Sequence, residues 1–217
     1  MFHRLFYPRQ TCMLAATHED KSNVTVVDWA TPVSVKPPML AVALNLKSYS
    51  LELLLASRCF TLSVLPESMA DKAAAVGSAT GRVIDKVDEY QLKLKPAKSV
   101  KAPRLDGAMA WVECELQGVF SSGDHALVVA EVMETHFPDE EAGKTPMLFN
   151  WGNKNYFGIK REWKEEKGKE REEKNGREKD EKKEDTRLVV VKKEEKKEEN
   201  KKEKESSTTE KKEEKKS

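Results

Sequence analysis

Short runs of apolar and often β-branched residues, separated by turn-forming residues, fill most of the first 159 positions of the chain. Such runs are typical of β-strands, in which successive side chains face opposite sides of a sheet. The six runs that we interpret as strands are residues 12–17, 24–29, 39–44, 59–65, 108–120 and 126–137. Turn-like segments at residues 19–23 and 121–125 predict two hairpins.

Two short segments have helical character. Residues 48–56 place leucines on one face and begin with Ser48, a residue type that caps helices. Residues 68–76 also begin with serine, and Gly77 after them predicts the end of a second helix. Both helices are expected to be brief insertions between strands.

The remaining segments are interpreted as loops and as a closing element. Pro32, Pro37 and Pro38 indicate a loop before the third strand, and residues 79–91 indicate a polar loop. The aromatic-rich residues 148–159 are expected to close the domain. Many strands with only two short helices favour a mainly β fold, a closed or nearly closed antiparallel barrel. The interior of a small barrel is packed, so a ligand is expected on its flank or at a subunit interface.

Charge divides the chain near Ile159. Residues 1–159 carry 16 Lys/Arg and 18 Asp/Glu, whereas residues 160–217 carry 23 Lys/Arg and 20 Asp/Glu. The second segment has too few apolar residues to bury a face and is expected to be disordered or a solvated helix. We therefore predict one domain over residues 1–159 and a Lys/Glu-rich low-complexity tail over residues 160–217. The nearly neutral domain gives no reason to expect nucleic-acid binding.

Composition also excludes several function classes. Cys12, Cys59 and Cys114 form no CxxC pair, and the four histidines lack metal-ligand spacing, so no metal site is predicted. Phosphate-loop, dinucleotide-fingerprint, GxSxG and HExxH motifs are absent from the sequence. The N-terminus does not resemble a signal peptide and no apolar run is long enough to span a membrane, so a cytoplasmic protein is expected.

Polar residues gather at strand ends. Asn23, Thr25 and Asp28 lie on one strand, and Lys47, Ser48 and Ser50 lie where the third strand meets the first helix. A helix N-terminus with hydroxyls and a cation is suited to bind an anion. An ordinary helix cap beside a surface lysine is the alternative interpretation of this second group.

The sequence resembles the flavin-reductase-like family in five ordered segments. These segments are Asn23-Val24-Thr25-Val26-Val27-Asp28-Trp29 with the Thr31-Pro32-Val33-Ser34 and Pro37-Pro38 that follow, Lys47-Ser48-Tyr49-Ser50, the 59–64 strand, Gly81-Arg82 with Asp85-Lys86, and Gly123-Asp124-His125 with Ala130-Glu131-Val132. Together they extend over nearly all of residues 8–159. The resemblance implies a homodimeric split β-barrel that holds FMN near the subunit interface.

The resemblance also assigns roles to individual residues. It implies that the isoalloxazine and ribityl chain contact Asn23, Thr25, Val26, Val27 and Asp28, largely through backbone groups. It implies that the FMN phosphate is held by Lys47, Ser48 and Ser50, with further charge from Arg82 and Lys86. His125 is expected beside the flavin as the catalytic residue, where it would contact nicotinamide or substrate.

The implied activity is electron transfer from NAD(P)H through FMN to a free flavin, a ferric complex or a protein acceptor. The family commonly has serine, asparagine and glycine at the positions of Asp28, Ser63 and Ala130. These departures weaken the inference of enzymatic turnover more than they weaken the inference of the fold. The first alternative is a non-enzymatic FMN-binding electron-transfer protein of flavoredoxin type. The second is a cofactor-free interaction module in which the tail is the functional part.

Overall fold

The computed structural model describes residues 2–136 and 145–160. Its strands are β1 (Arg9–Gln10), β2 (Cys12–His18), β3 (Lys21–Val27), β4 (Ala30–Ser34), β5 (Met39–Asn45), β6 (Cys59–Val64), β7 (Leu94–Lys95), β8 (Arg104–Leu105), β9 (Ala110–Ser122), β10 (His125–His136), β11 (Met147–Asn150) and β12 (Tyr156–Ile159). Its α-helices are α1 (Tyr49–Ser57), α2 (Ala70–Ser78) and α3 (Lys86–Glu89). The mainly β split-barrel prediction is confirmed.

Seven strands form one antiparallel sheet in the order β3-β2-β6-β9-β10-β5-β4. Its two edge strands, β3 and β4, are consecutive in the chain and are joined by Asp28 and Trp29. A small sheet of β1, β11 and β12 and a two-stranded ribbon of β7 and β8 complete the strand pairing among the described residues. The 148–159 segment thus pairs with β1 and not with the seven-stranded sheet.

The sheet separates two apolar clusters. Leu14 and Ala16 of β2 point into the inner cluster, where Val42, Phe60 and Val128 are fully buried. Met13 and Ala15, which alternate with them, point into the outer cluster with Val76 and Leu148. Period-two alternation with both faces buried explains why the 12–17 run is continuously apolar.

The outward surface of the sheet differs between its two halves. Over β3, β2 and β6, which we call the covered half, α2 and the small sheet pack to form the outer cluster. Over β10, β5 and β4, with the adjoining end of β9, no described element packs in this way, and we call this the open half. Strand register places Phe120, Leu127, Ala43 and Trp29 in one outward row across it.

Three local predictions are wrong. Residues 30–34, expected in a loop, form edge strand β4, in which Pro32 is tolerated because an edge strand need not donate every N–H. Helix α2 runs through Gly77 to Ser78, and Ser68 lies in a preceding 3₁₀ turn instead of at its cap. The 79–91 segment contains α3, whose N-terminal amides bond the Asp85 carboxylate.

The prediction for the tail concerns residues outside the described part of the chain, apart from Lys160. Among the described residues, no helix combines the length and apolar character needed to cross a membrane. Within the same residues, no three His, Cys, Asp or Glu side chains come together as metal ligands.

Candidate functional site

Asn23, Ser50 and Gly81 converge from three separate segments. The Asn23 side chain is buried on β3, and its Nδ2 donates to Ser50 Oγ at 2.8 Å at the start of α1. A Cβ atom placed on Gly81 would lie only 2.2 Å from Asn23 Oδ1, so no larger residue fits without moving Asn23. The structure therefore brings β3, α1 and the 79–85 loop together, and Ser50 is fully buried with its hydroxyl bonded to Asn23.

The start of α1 next to this contact is open to an anion. Ser48 is the N-cap residue, yet its side chain makes no capping hydrogen bond. Lys47 is exposed just before it, and its backbone N–H donates to Asn45 Oδ1 at 2.9 Å. The first-turn amides of a helix have no partner inside the helix, so a negative group is stabilised there. Of the predicted phosphate ligands, Lys47 and Ser48 fit this role best.

Arg82 lies against the same end of α1. Its guanidinium forms an ion pair with Glu52 Oε2 at 2.8 Å and lies 5.5 Å from the Tyr49 ring centroid. Both charged side chains are about half exposed, so the pair contributes little stability. Arg82 thus lies close to the start of α1, where Glu52 offsets its charge, and its predicted contact with a phosphate stays a prediction.

Lys86 has a structural contact instead. It is buried, its Nζ donates to the Val76 carbonyl at 2.9 Å, and desolvation lowers the pKa of its ammonium group. This bond fastens α3 to α2 and leaves the amine away from the start of α1. The prediction that Lys86 helps to hold a phosphate is therefore not supported by its position.

Thr25, Val26 and Val27 lie on edge strand β3. Val27 is buried in the inner cluster, and Val26 packs against the outer cluster. An edge strand leaves alternate N–H and C=O groups outside the ladder. These residues can contact a planar ligand mainly through backbone groups, which agrees with the contacts that the sequence resemblance implies.

Asp28 is held by side chains of the covered half. Its Oδ1 accepts from Thr11 Oγ1 at 2.8 Å and its Oδ2 accepts from Asn150 Nδ2 at 2.7 Å. Burial raises the pKa of the Asp28 carboxyl, although both hydrogen bonds and the charge of Arg9 act in the opposite direction. The carboxylate links Thr11, between β1 and β2, to Asn150 of β11.

His125 lies at the start of β10, next to Trp29. The two ring centroids are 4.9 Å apart with an interplanar angle of 33°. Its Nδ1 bonds Asp124 Oδ1 at 2.6 Å, an exposed contact that lowers the pKa of the Asp124 carboxyl. The Asp124 carbonyl in turn accepts from Leu46 N at 3.0 Å, so the His125 turn is tied to the loop that leads to Lys47 and Ser48.

The buried thiols have no part in this site. Desolvation raises the pKa of both Cys12 and Cys114 to about 12, with smaller contributions from Asp28 and Glu113 respectively. Each thiol therefore stays protonated at neutral pH, and its sulfur is an apolar packing group in the inner cluster.

One group near His125 was missed by the sequence interpretation. The guanidinium carbon of Arg9 lies 5.7, 6.0 and 6.0 Å from the ring centroids of Phe6, Tyr7 and Trp29. His3 packs against Trp29 with a centroid separation of 5.6 Å. The aromatic and basic residues before Thr11 were the available signal, but only the pairing of β1 with β11 places them beside Trp29.

Fold and site together define a split-barrel protein in which a helix N-terminus without a side-chain cap lies beside an edge strand. The chain belongs to the flavin reductase like domain family, whose model matches residues 2–160. An uncharacterized protein of Pyrococcus abyssi is 32% identical over 151 residues, which cover 69% of this chain and 87% of that protein. The NADH-dependent flavin reductase StyB of Pseudomonas fluorescens is 32% identical over 148 residues, covering 67% of this chain and 80% of the reductase.

Solved structures show the same fold. The FMN-binding protein from Thermus thermophilus, with bound 1-cyclohex-2-enone, is 28% identical with a TM-score of 0.65, covering 73% of this chain and 91% of that one. Flavoredoxin of Desulfovibrio vulgaris (Miyazaki F) is 19% identical with a TM-score of 0.65, covering 75% and 92%. The second likeness extends to the fold alone.

Proposed function

We propose that this protein is an FMN-dependent oxidoreductase that carries electrons from NAD(P)H to a free flavin, a ferric complex or a protein acceptor. Two findings support the proposal: the family to which the chain belongs and the NADH-dependent activity named for its Pseudomonas relative. Bound FMN would supply hydride acceptance and onward electron transfer, and the protein would supply position and electrostatics.

The convergence of Asn23, Ser50 and Gly81 is the observation that carries the FMN assignment. It fixes the start of α1 against β3, and the Asn23 side chain fills the space that a Cβ on Gly81 would need. Lys47 and Ser48 would hold the phosphate there, with Arg82 adding charge, and the backbone edge of β3 would contact the ring system. The donor set fits a phosphorylated planar ligand.

His125 would contact the reductant beside this site. Its Nδ1 is oriented by Asp124, which leaves Nε2 to bond a carbonyl or an amide. Trp29 packs against the imidazole ring and limits its rotation. The role of His125 would be to orient the nicotinamide and exclude water from it.

A homodimer is part of the proposal. The open half presents Phe120, 60% exposed, and Leu127, 38% exposed, in the same row as Ala43 and Trp29. Neighbouring apolar side chains left bare in this way are suited to contact between protein surfaces. A second copy seated on this row would place the Trp29 end, and thus the FMN site, at the rim of the interface.

Gly81→Ala is the sharpest test of the FMN site. The new Cβ would displace Asn23, separate it from Ser50 and weaken FMN binding about 10-fold or more, the effect expected from losing a buried hydrogen bond. Quenching of FMN fluorescence on titration with protein measures the affinity.

The matched control is Gly77→Ala. A Cβ there would lie 3.6 Å from Val26, an ordinary contact, and alanine favours the helix. Its FMN affinity should equal that of the wild-type protein. Equal affinities for all three proteins would contradict the assignment, as would a wild-type protein that is colourless and does not quench FMN.

A non-enzymatic electron carrier of flavoredoxin type is the second candidate, and one observation favours it. His125 already has one nitrogen bonded to Asp124 and its ring packed on Trp29, so only part of it is open to a reductant. Stopped-flow mixing with NADH separates the two functions, because a reductase bleaches its bound FMN and a carrier does not. His125→Ala should slow this reduction more than it weakens FMN binding.

A further inference from the structure

The Arg9 guanidinium has no anionic partner among the described residues. Its side chain makes neither an ion pair nor a hydrogen bond with them, and its buried Nε has no partner atom. The rings of Phe6, Tyr7 and Trp29 surround its guanidinium at 5.7–6.0 Å. Aromatic rings hold a cation in place but do not satisfy its N–H donors, of which arginine has five.

The nearby carboxylate does not account for this arrangement. Asp28 lies close enough for the charge of Arg9 to lower the pKa of its carboxyl, yet each of its oxygens already accepts from Thr11 or Asn150. A structural arginine would be expected to donate to a carboxylate or to carbonyl groups. The three aromatic rings instead hold the Arg9 guanidinium in place, and its N–H donors bond no described residue.

The position of Arg9 connects it to the site. Trp29 contacts both the Arg9 guanidinium and the His125 ring, so the two basic groups lie against the same indole. A ligand that stacks or bonds near His125 would extend towards Arg9. Both candidate substrates of the proposed reaction, a nicotinamide dinucleotide and a free FMN, carry a phosphate group beyond their planar ring.

We propose that Arg9 binds the phosphate oxygens of a substrate whose planar ring lies beside His125. The proposal rests on the proposed function for the identity of the substrate. A planar guanidinium matches phosphate bidentately, and its aromatic surroundings reduce the loss of side-chain freedom on binding. Arg9 would set substrate affinity and take no part in electron transfer.

The test compares Arg9→Gln with Arg4→Gln. Arg4 lies in the same N-terminal segment, is exposed and donates to Asn153 Oδ1, so its variant removes the same charge away from Trp29. If Arg9 binds the dinucleotide, calorimetric titration of FMN-loaded protein with NAD⁺ should give a Kd about 10- to 100-fold higher for Arg9→Gln, the cost of one charge-assisted hydrogen bond, and an unchanged Kd for Arg4→Gln. FMN content and the thermal unfolding midpoint establish that each variant is folded and loaded.

Two further arms identify the source of the phosphate. If the dinucleotide is bound, Arg9→Gln raises the KM for NADH and leaves the reduction rate at saturating NADH unchanged. If the acceptor is bound, the wild-type preference for FMN over riboflavin as acceptor disappears in the variant while NAD⁺ affinity is retained. Arg9→Lys keeps the charge but not the bidentate geometry, so its substrate affinity should lie between those of wild type and Arg9→Gln. It replaces Arg9→Gln in the test if the glutamine variant does not fold.

Unchanged NAD⁺ affinity together with an unchanged FMN-to-riboflavin preference would overturn the proposal. Failure of the proposed function has a different signature, since wild-type protein would then retain no FMN. Titration of that protein with inorganic pyrophosphate would still test Arg9 directly: binding lost in Arg9→Gln supports anion recognition, and no binding to wild type refutes it.

Discussion

The two halves of the sheet have the same inner face and very different outer faces. Both contribute to one inner cluster, in which Leu14 of the covered half and Val128 of the open half are fully buried. Outside, the covered half lies under α2 and the small sheet, whereas the open half leaves Phe120 and Leu127 exposed. A barrel wall that is apolar on both faces needs an outer partner, and residues 2–136 and 145–160 provide one for only half of the wall.

The boundary between the halves falls between two adjacent residues. Asp28 bonds Thr11 and Asn150 of the covered side, and Trp29 packs on His125 of the open side. All residues proposed to contact substrate, including Arg9 and His125, lie near this boundary. We therefore propose that the covered half supplies stability and that the open half supplies a surface for contact with a second copy.

The largest expected effect comes from truncating one leucine in each half. Leu148→Ala, in the outer cluster of the covered half, should lower the free energy of unfolding by about 2–5 kcal/mol because it leaves a cavity. Leu127→Ala, in the open half, should cost less than about 1 kcal/mol at protein concentrations where the monomer predominates. Denaturant unfolding of both variants measures the difference, and equal losses would show that the open face is packed within the monomer.

A smaller but more specific effect is expected on self-association. Leu127→Glu places a charge in the outward row and should raise the dimer dissociation constant about 10- to 100-fold, in line with the contribution of one buried leucine. Sedimentation velocity over a range of concentrations measures it. Leu55→Glu, at a 45% exposed leucine on α1, is the control and should leave association unchanged. A wild-type protein that stays monomeric at high concentration would contradict the assignment of the open face.

Much of the barrel could be predicted from the sequence, because its strands carry strong local signals. The apolar run at residues 12–17 and the alternation at residues 59–65 correspond to β2 and β6 in the structure. Strand β4 was missed because prolines suggest a loop locally, and only its pairing with β5 identifies it as an edge strand. The end of α2 was placed too early because Gly77, a common helix terminator, is accommodated here inside a helix that packs on β3.

The site was only partly predictable, for a related reason. Asn23, Ser50 and Gly81 were identified by their likeness to family motifs, and the structure brings them together. Lys86 belongs to the same kind of motif, yet its amine donates to the Val76 carbonyl. This contact spans ten residues of sequence and has no sequence signal. Arg9 lies outside every motif. Its environment forms only when β1 pairs with β11.

The smallest expected effect concerns the boundary itself and is a change in pH dependence. Burial raises the pKa of Asp28 above its ordinary value, so the folded protein binds this proton more tightly than the unfolded chain does. The contribution of Asp28 to stability is therefore greatest below the ordinary aspartate pKa and declines as the pH rises through the raised folded value. Thr11, Asn150, Arg9, Cys12 and Tyr156 are the polar or titratable groups that face it.

Asp28→Asn should remove that decline without breaking the link between Thr11 and Asn150. The asparagine oxygen can accept from Asn150, and the asparagine amide can donate to the Thr11 hydroxyl, which rotates to accept. We expect the variant to match wild type in stability at low pH and to equal or exceed it at neutral pH, as measured by urea unfolding at a series of pH values. A variant that loses stability at neutral pH but not at low pH would show that the charge of the carboxylate, and not the shape of the side chain, holds Thr11 and Asn150 together.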